Sequence, residues 1–440
     1  MRTSPRAPVG FARTVMISSR PSIRWAGPHC RASIQTCGRF MKSGIPIRRR
    51  APGMRRRWAV GDTFAAYKPI SLGVQKVTKA ICFFTARYSV SGVPLAQLRL
   101  AKAFRERGYR VDFVFGYVPP GVDAPKSGGI SIYDFGQPRA VNLLIPITRF
   151  IRDTRPDVIF SAEDHLNAVV AFATYLSGSR AKLSVSSRVT PYEAYSNVPF
   201  SKRWVLKQLS RLLWQRADVL TCVSKDMVGQ YRNVFGQTRH RTIYNVIVDD
   251  DLHRKKNESV DHPWFADTDV PLIVSAGRLA PEKRFADVIA AVKIINDSRF
   301  ARLVILGDGP LREELQALID RLELADRAQL LGFQSNPLKY FQKARLFVLA
   351  SCVEGLPNVL VEAMACGCPV VSTNCPTGPR EVLKDGEFGE LVPVGSPQAL
   401  ARAILRALET KPKADKLQEA VRPFTTDEVV ARHLAALGLA

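Results

Sequence analysis

From residue 80 onward, short runs of consecutive apolar residues alternate with longer segments in which apolar residues recur every three or four positions. The runs are typical of strands buried on both faces, and the longer segments have the period of amphipathic helices. Strands that alternate with helices pair in parallel, which predicts an α/β fold. The predicted strands are Ala80–Thr85, Arg110–Phe115, Asp157–Ser161, Lys182–Ser187, Asp218–Val223, Pro271–Gly277, Arg302–Leu306, Gln329–Phe333, Leu346–Ala350 and Pro369–Thr373.

These strands fall into two groups, separated by a polar and charged stretch, Asp251–Asp261, whose composition is typical of an interdomain linker. We therefore expect two doubly wound, Rossmann-like domains, one over residues 79–255 and the other over residues 262–424. Residues 1–78 lack an apolar period and are rich in Arg, Ser, Pro and Gly. This composition predicts a disordered basic extension.

The net charge of +25 is concentrated in this extension. Residues 1–79 contain 17 Lys or Arg and a single acid, Asp62, which gives them a net charge of +16. A basic chain is typical of nucleic-acid binding, but this distribution assigns the charge to the extension rather than to the domains. The extension is either a polybasic arm for anionic lipid or nucleic acid, or, because Met41 and Met54 are later possible starts, a segment foreign to the native chain.

The eight cysteines form neither a C-x-x-C pair nor a regular ladder. This is typical of free thiols in a reducing compartment, and we assign no metal to them. No apolar run approaches the roughly 18 residues of a membrane span. We therefore expect a cytoplasmic protein, with any membrane contact at the surface of the inner face of the cytoplasmic membrane.

The segment Lys202–Gln215 is a candidate for such a contact, because basic amphipathic helices lie in membrane interfaces. The same pattern is expected of a helix whose apolar side covers the sheet. The sequence leaves both interpretations open. The apolar residues of this segment include Trp204, Leu206, Leu209, Leu213 and Trp214.

The stretch Ser351–Glu381 combines a strand end, a turn, a short helix and a second strand. Pro357 suits the first position of a helix. The backbone amides at the helix start, around Pro357–Val359, predict an anion site. Glu362 lies about one turn along this helix, and Glu354 lies outside it. Because carboxylates accept hydrogen bonds from sugar hydroxyls, two of them flanking a phosphate-binding helix indicate a sugar nucleotide.

Glu354 and Glu362 form an E-x7-E pattern, and the surrounding EGLPNVLVEAMACGCPVV resembles the family-4 retaining glycosyltransferases. The resemblance implies the GT-B architecture, in which an N-terminal acceptor-side domain and a C-terminal nucleotide-sugar-binding domain face each other across a cleft. It also implies that residues 425–440 form a helix that crosses back to the first domain. The resemblance continues through Ser275–Arg284, Leu303–Pro310 and Leu331–Phe333, and more loosely over Ala80–Asn245.

The resemblance implies roles for individual residues. Arg278 and Lys283 match the cations that contact the donor diphosphate, and both follow a predicted strand at the edge where α/β sheets bind ligands. Glu354 corresponds to the carboxylate that positions the donor sugar during catalysis, and Glu362 to the one that binds the ribose. The other positions implied to bind the nucleotide sugar are Gly92, Gly332, Phe333, Gly355, Leu356, Pro357, Asn358 and Val359.

On the acceptor side, many relatives carry a histidine where this chain has Arg188. Arg188 and His165, which begins a predicted helix, are therefore the candidates for acceptor contact. Asp249–Asp251 contains a D-x-D pattern, but its place beside a linker favours an exposed acidic turn over a metal site. We expect no metal and no cofactor.

We therefore expect a retaining, metal-independent glycosyltransferase that moves a hexose or N-acetylhexosamine from a UDP-linked donor to a lipid-linked or cell-surface polysaccharide acceptor. A mannosyltransferase using GDP-mannose is the alternative. The non-enzyme alternative is a nucleic-acid-binding protein that acts through the extension. We expect the folded domains to bind no specific nucleic acid. Strong nucleic-acid binding by a chain that lacks residues 1–78 would contradict this expectation. A dinucleotide oxidoreductase is disfavoured, because no G-x-G-x-x-G opens a helix after a strand.

Overall fold

Two parallel β-sheets organise the residues that the computed structural model describes, which are 79–89, 92–122, 128–410 and 414–439. The predicted basic extension, residues 1–78, lies outside these ranges. Each strand pairs in parallel with its neighbours in the same sheet. The prediction of two α/β sheets is thus confirmed.

The first sheet has an order of 3-2-1-4-5-6-7 across its seven strands. The chain winds outward in one direction from the first strand and in the other direction from the fourth. The carboxyl ends of these two strands therefore flank a topological switch point, where open α/β sheets bind ligands. In chain order the strands are β1 (Ala80–Thr85), β2 (Arg110–Phe115), β3 (Ser131–Asp134), β4 (Val158–Ala162), β5 (Lys182–Ser187), β6 (Val219–Cys222) and β7 (His240–Thr242).

The second sheet repeats this arrangement with six strands, in the order 10-9-8-11-12-13. Its switch point lies between the eighth and the eleventh strand of the chain. The strands are β8 (Leu272–Ala276), β9 (Arg302–Leu306), β10 (Ala328–Gly332), β11 (Leu346–Leu349), β12 (Val370–Thr373) and β13 (Glu390–Val392).

Helices connect the strands of both sheets. Those before the second sheet are α1 (Gly92–Glu106), α2 (Leu144–Thr154), α3 (Asp164–Ser177), α4 (Pro191–Ala194), α5 (Lys202–Leu213), α6 (Lys225–Phe235), α7 (Asp250–Lys255) and α8 (Pro263–Ala266). Those that follow are α9 (Phe285–Asn296), α10 (Arg312–Arg321), α11 (Leu338–Lys343), α12 (Asn358–Ala365), α13 (Pro379–Val382), α14 (Pro397–Glu409), α15 (Ala414–Val421) and α16 (Thr426–Leu437). Short 3-10 turns occupy Ala140–Leu143, Trp214–Arg216, Pro281–Lys283, Lys384–Gly386 and Arg422–Phe424.

All ten predicted strands are present, with each end within one residue of its predicted place. The sequence pattern missed β3, β7 and β13, which are edge strands of three or four residues. Short edge strands carry no run of buried apolar residues, so they leave no periodic signal. The predicted linker Asp251–Asp261 lies between the two sheets in the chain, and its first residues belong to the short helix α7.

Aromatic rings form the centre of the first sheet. Phe83 stacks on Phe113 and Phe160, with ring centroids 5.7 and 4.7 Å apart. His433, from the last helix, meets Phe160 edge-on at 5.3 Å. The C-terminal helix α16 therefore packs against the first sheet, although the second sheet precedes it in the chain.

Two passages of the chain between the sheets are hydrogen-bonded to each other. The Val248 amide donates to the Phe424 carbonyl at 3.1 Å, and the Thr426 amide donates to the Val248 carbonyl at 3.1 Å. Beyond this crossing, the Lys182 ammonium donates to the Leu437 carbonyl. The last helix is thus tied to the first sheet at both of its ends.

The backbones that follow β8 and β9 approach closely at two glycines. Gly307 has φ +136°, and a Cβ there would lie 1.9 Å from the Gly277 carbonyl oxygen. Backbone atoms cannot move aside as a flexible side chain can, so only glycine fits. This contact places the loops after β8 and β9 side by side.

We predict that Gly307→Ala lowers the free energy of unfolding by about 3 kcal/mol or more, because the new methyl group overlaps fixed backbone. Gly229→Ala is the matched control, since Gly229 lies within α6 and a Cβ there meets nothing within 4 Å. It should stabilise the protein by about 0.5–1 kcal/mol through helix propensity. Urea unfolding of both variants tests the prediction, and equal midpoints would contradict it.

Candidate active site

A cavity of about 660 Å³ opens between the carboxyl ends of the two sheets. The first sheet contributes Gly92 and residues of α1, and the second contributes the loop after β8 and the start of α12. Arg278 and Glu362, predicted to contact the diphosphate and the ribose of one ligand, line this same cavity. The other predicted residues in its wall are Gly92, Phe333, Asn358 and Val359.

Both switch points supply residues to the cavity. Gly92, with φ +67°, begins α1 after β1, and Arg278 follows β8 by two residues. Arg278 is mostly exposed and pairs with Glu282 at 2.8 Å. An exposed guanidinium at the edge of a cavity is suited to an anionic ligand.

The helix α12 starts one residue later than the sequence predicted. Pro357 precedes it with φ −77° and ψ +83°, so Asn358 is the first helical residue. The Asn358 amide donates to the Leu356 carbonyl at 2.9 Å. The Asn358 amide is therefore already hydrogen-bonded within this turn. The predicted anion site around Pro357–Val359 included this amide and so contained too many donors.

Glu354 and Lys283 form a close ion pair beside the cavity. The Lys283 ammonium lies 2.5 Å from Oε1 of Glu354, and Ser351 donates its hydroxyl to the same oxygen at 2.7 Å. Both charged side chains are largely buried. The pair therefore gives the Glu354 carboxylate a defined orientation. The other predicted residues that lie near the cavity without lining it are Gly332, Gly355, Leu356 and Pro357.

Two family models match this chain, one for each sheet. The Glycosyl transferase 4-like domain matches residues 91–245, and the Glycosyl transferases group 1 model matches residues 257–423. The chain carries a glycosyl transferase 4-like domain followed by a glycosyl transferases group 1 domain. The family resemblance inferred from the E-x7-E pattern is thus confirmed.

This chain is similar to two proteins that are named as glycosyltransferases. One of them is N-acetylgalactosamine-N,N'-diacetylbacillosaminyl-diphospho-undecaprenol 4-alpha-N-acetylgalactosaminyltransferase of Campylobacter jejuni. The two sequences are 34% identical over 257 residues, and the match covers 58% of this chain and 66% of that protein. This chain is also 34% identical over 261 residues to the putative colanic acid biosynthesis glycosyltransferase WcaL of Escherichia coli, covering 55% and 62%. The chain thus spans less than two thirds of these relatives.

A solved structure with the same fold is that of HepE from Anabaena in complex with UDP. The match has a TM-score of 0.66 at 20% identity, and covers 82% of this chain and all of the other. This likeness confirms the GT-B architecture.

The cation that connects the two halves of the cavity was not predicted from the sequence. Arg99, on α1, donates to Oε1 of Glu362 at 2.9 Å and lies 3.7 Å from Asp249. Burial alone would lower the pKa of Arg99, but Glu362 and Asp249 outweigh it and raise that pKa. Arg99 follows Gly92 by seven residues, two turns along the same helix face, which is the one signal that points to it.

The Asp249–Asp251 segment was also placed wrongly. Asp249 is largely buried rather than exposed, because it caps α7 by accepting from the Leu252 amide at 2.8 Å and also faces Arg99. Asp249 and Asp251 both line the cavity. No group of three or more His, Cys, Asp or Glu side chains able to hold a metal occurs within the described ranges. Metal independence stays a prediction.

Arg188 lies close to the loop that precedes α12. A Cβ at Gly355 would lie 3.0 Å from the Arg188 carbonyl oxygen, so glycine at this position favours the close approach of the loop to the first sheet. The Arg188 guanidinium donates to Asn245, whose amide donates to Asn358 at 2.9 Å. Burial lowers the pKa of Arg188 to about 10. The structure therefore brings Arg188 to the start of α12.

His165 is partly exposed and does not line the cavity. Its Nε2 lies 3.4 Å from Oε2 of Glu163, and burial lowers its pKa. Glu163 connects His165 to Arg188, because Glu163 lies close to His165 and also interacts electrostatically with Arg188.

We predict that Arg99→Met lowers the free energy of unfolding by about 2 kcal/mol or more, because it leaves two largely buried carboxylates without their cation. The control is Lys102→Met on the same helix, whose ion pair with Asp251 is more exposed. Its loss should cost less than about 1 kcal/mol. Chemical unfolding measures both, and equal losses would show that the Arg99 contact is no stronger than a surface pair.

Proposed function

We propose that this protein is a retaining glycosyltransferase that moves a hexose or N-acetylhexosamine from a UDP-linked donor to a lipid-linked or cell-surface polysaccharide acceptor. The observation that supports it most is the shared cavity of Arg278 and Glu362, with the Lys283–Glu354 pair beside it. Cations lie together there with carboxylates that can accept hydrogen bonds from hydroxyls, and a nucleotide diphosphate sugar requires both kinds of group.

In this proposal the two cations neutralise the donor diphosphate. Arg278 supplies a forked set of donors from the cavity edge, and Lys283 supplies a compact charge. The charge on the diphosphate grows as the bond to the sugar breaks, so both cations stabilise the transition state more than the ground state.

The two carboxylates bind the two sugars of the donor. Arg99 engages Oε1 of Glu362, which directs Oε2 toward the ribose hydroxyls. Lys283 and Ser351 engage Oε1 of Glu354, which leaves Oε2 for the hydroxyls of the transferred sugar. Phe333, half exposed at the cavity wall, offers an apolar surface to the base.

Transfer proceeds at the front face of the sugar. The bond between the anomeric carbon and the diphosphate oxygen breaks, the acceptor oxygen bonds to that carbon, and the acceptor proton passes to the departing diphosphate. No protein nucleophile enters the scheme, and we propose that the reaction needs no metal. This route accounts for retention of the anomeric configuration.

The choice of donor and acceptor rests on the relatives. UDP occupies the fold neighbour HepE, and the Campylobacter jejuni relative is named for a diphospho-undecaprenol acceptor. GDP-mannose remains the alternative donor.

A membrane-borne acceptor agrees with the unusual orientation of α5. This helix buries Lys207 and Ser210, while Leu209 and Leu212 are 46% and 66% exposed. Phe200, just before it, is 87% exposed. Leu206 and Leu213 of the same helix pack against the core, so only part of the apolar side faces outward. We propose that this exposed part contacts the membrane surface. In the part of the chain that the structure describes, no helix combines the length and apolarity of a bilayer span.

We predict that Glu362→Ala weakens UDP binding at least tenfold, because the ribose loses its acceptor. Glu354→Ala should leave UDP binding within about threefold while lowering transfer at least a hundredfold, because it acts on the sugar. Calorimetric titration with UDP, GDP and ADP, together with transfer rates, measures both. Glu314→Ala, at an exposed position of α10, is the control. The reverse pattern would overturn the two roles, and tighter binding of GDP would favour the mannosyl alternative.

We predict that the double change Leu209→Gln and Leu212→Gln removes binding to vesicles of phosphatidylethanolamine and phosphatidylglycerol. Apolar contacts of α5 with the interface are lost, while its buried side is untouched. The matched control is Val141→Gln with Ile145→Gln, which removes two equally exposed apolar side chains elsewhere. Cosedimentation measures binding; equal binding by both double variants would contradict a membrane role for α5.

A further inference from the structure

Glu163 lies at the switch point of the first sheet and has no role in the mechanism above. It directly follows β4, whose neighbour β1 leads to Gly92 at the cavity. The carboxyl ends of these two strands flank the crevice where an open α/β sheet binds its ligand. The donor site accounts for the β1 side of this crevice and leaves the β4 side unassigned.

The backbone of Glu163 is held in a conformation that glycine adopts more readily. It has φ +82° and ψ +123°, although it is not glycine. Such a residue costs on the order of 1–3 kcal/mol, and residues of this kind cluster at ligand-binding sites. Its side chain does not cap α3, so helix capping does not explain the conformation.

The surroundings of Glu163 are polar and incompletely paired. Arg188, at the end of the adjacent β5, has a buried Nε atom without a hydrogen-bond partner within the described residues. His165 lies 3.4 Å from Glu163 Oε2. Asp164 is occupied elsewhere, because it accepts from Ser187 at 2.8 Å and from Tyr195 and Tyr231 at 3.0 Å. Arg188 and Glu163 act on each other electrostatically, and a buried donor beside a carboxylate is suited to a ligand that both donates and accepts.

We propose that Glu163 binds the acceptor: its carboxylate accepts a hydrogen bond from an acceptor hydroxyl, while the Arg188 Nε donates to an acceptor oxygen. The ligand class is a sugar or polyol, which carries both functions on each hydroxyl. The inference rests on the proposed glycosyl transfer and adds the acceptor side to it. No proton passes to Glu163, because the attacking hydroxyl delivers its proton to the departing diphosphate.

The ionisation of Glu163 sets the expected pH dependence. Burial raises the pKa of Glu163 to about 7, the charge of Arg188 opposes this shift, and the charge of Asp164 adds to it. Only the ionised carboxylate presents two accepting oxygens. Acceptor use should therefore rise as the pH rises through about 7. The groups that face Glu163 are Arg188, Asp164 and His165.

Three variants test the proposal with UDP-sugars as donors and octyl hexosides and N-acetylhexosaminides as acceptor probes. Glu163→Gln should lower kcat/KM for the acceptor at least tenfold at pH 8 and remove the rise between pH 6 and 8, while UDP binding stays within about twofold. His165→Gln should keep the rise in kcat/KM between pH 6 and 8, which would assign this rise to the Glu163 carboxylate rather than to the imidazole. Asp112→Asn neutralises another buried carboxyl of raised pKa in the same sheet and should behave as the wild type.

A fourth variant separates binding from a structural role. Glu163→Gly should unfold at the same or a higher temperature at pH 8, because it relieves the backbone and removes a desolvated charge, yet it should lose acceptor use as Glu163→Gln does. A lower unfolding temperature for Glu163→Gly, or an unchanged pH profile in Glu163→Gln, would overturn the proposal. Loss of UDP binding in Glu163→Gln would also overturn it. Failure of the wild type to bind any nucleotide would instead refute the proposed function beneath it.

Discussion

The common direction of the strands is the constraint on which the rest of this structure depends. A parallel sheet brings the carboxyl ends of all its strands to one edge, so loops and helix starts of very different sequence position meet there. Two such edges enclose the cavity, and each has a single point where the winding reverses. Gly92 and Glu163 come from one reversal, and Arg278 and Glu354 from the other.

Two ion pairs fix the positions of charged side chains in and beside this cavity. Arg99 joins α1 to Glu362 on α12, and Lys283 joins the turn after β8 to Glu354. Both pairs are largely removed from water, so their attraction is screened less than that of surface pairs. Each carboxylate has one oxygen engaged by protein, which reduces the freedom of the other.

The sequence was sufficient to predict the central strands and several of the residues that line the cavity. Consecutive apolar residues mark a strand buried on both faces, and the E-x7-E pattern places two acids by local geometry alone. Arg99 could not be found this way, because its partner Glu362 lies 263 residues further along the chain. The orientation of α5 escaped as well, because a helical period shows that two faces differ but not which of them points inward.

The other features that could not be predicted from the sequence also have physical explanations. The edge strands β3, β7 and β13 are too short and too polar to show a period. Asp249 looked exposed because the cation that faces it belongs to α1, far away in the chain. Glu163 gave no signal, since nothing in a sequence announces a residue held at positive φ. The roles of the individual site residues stay predictions.

The paired passages at Val248, Phe424 and Thr426 have a mechanical consequence. Because the second sheet is connected to the first by two passages of chain that are hydrogen-bonded to each other at one place, the connection is a braced crossing rather than a free tether. A rotation of one half about this crossing can keep these hydrogen bonds, whereas sliding of the two passages past each other would break them.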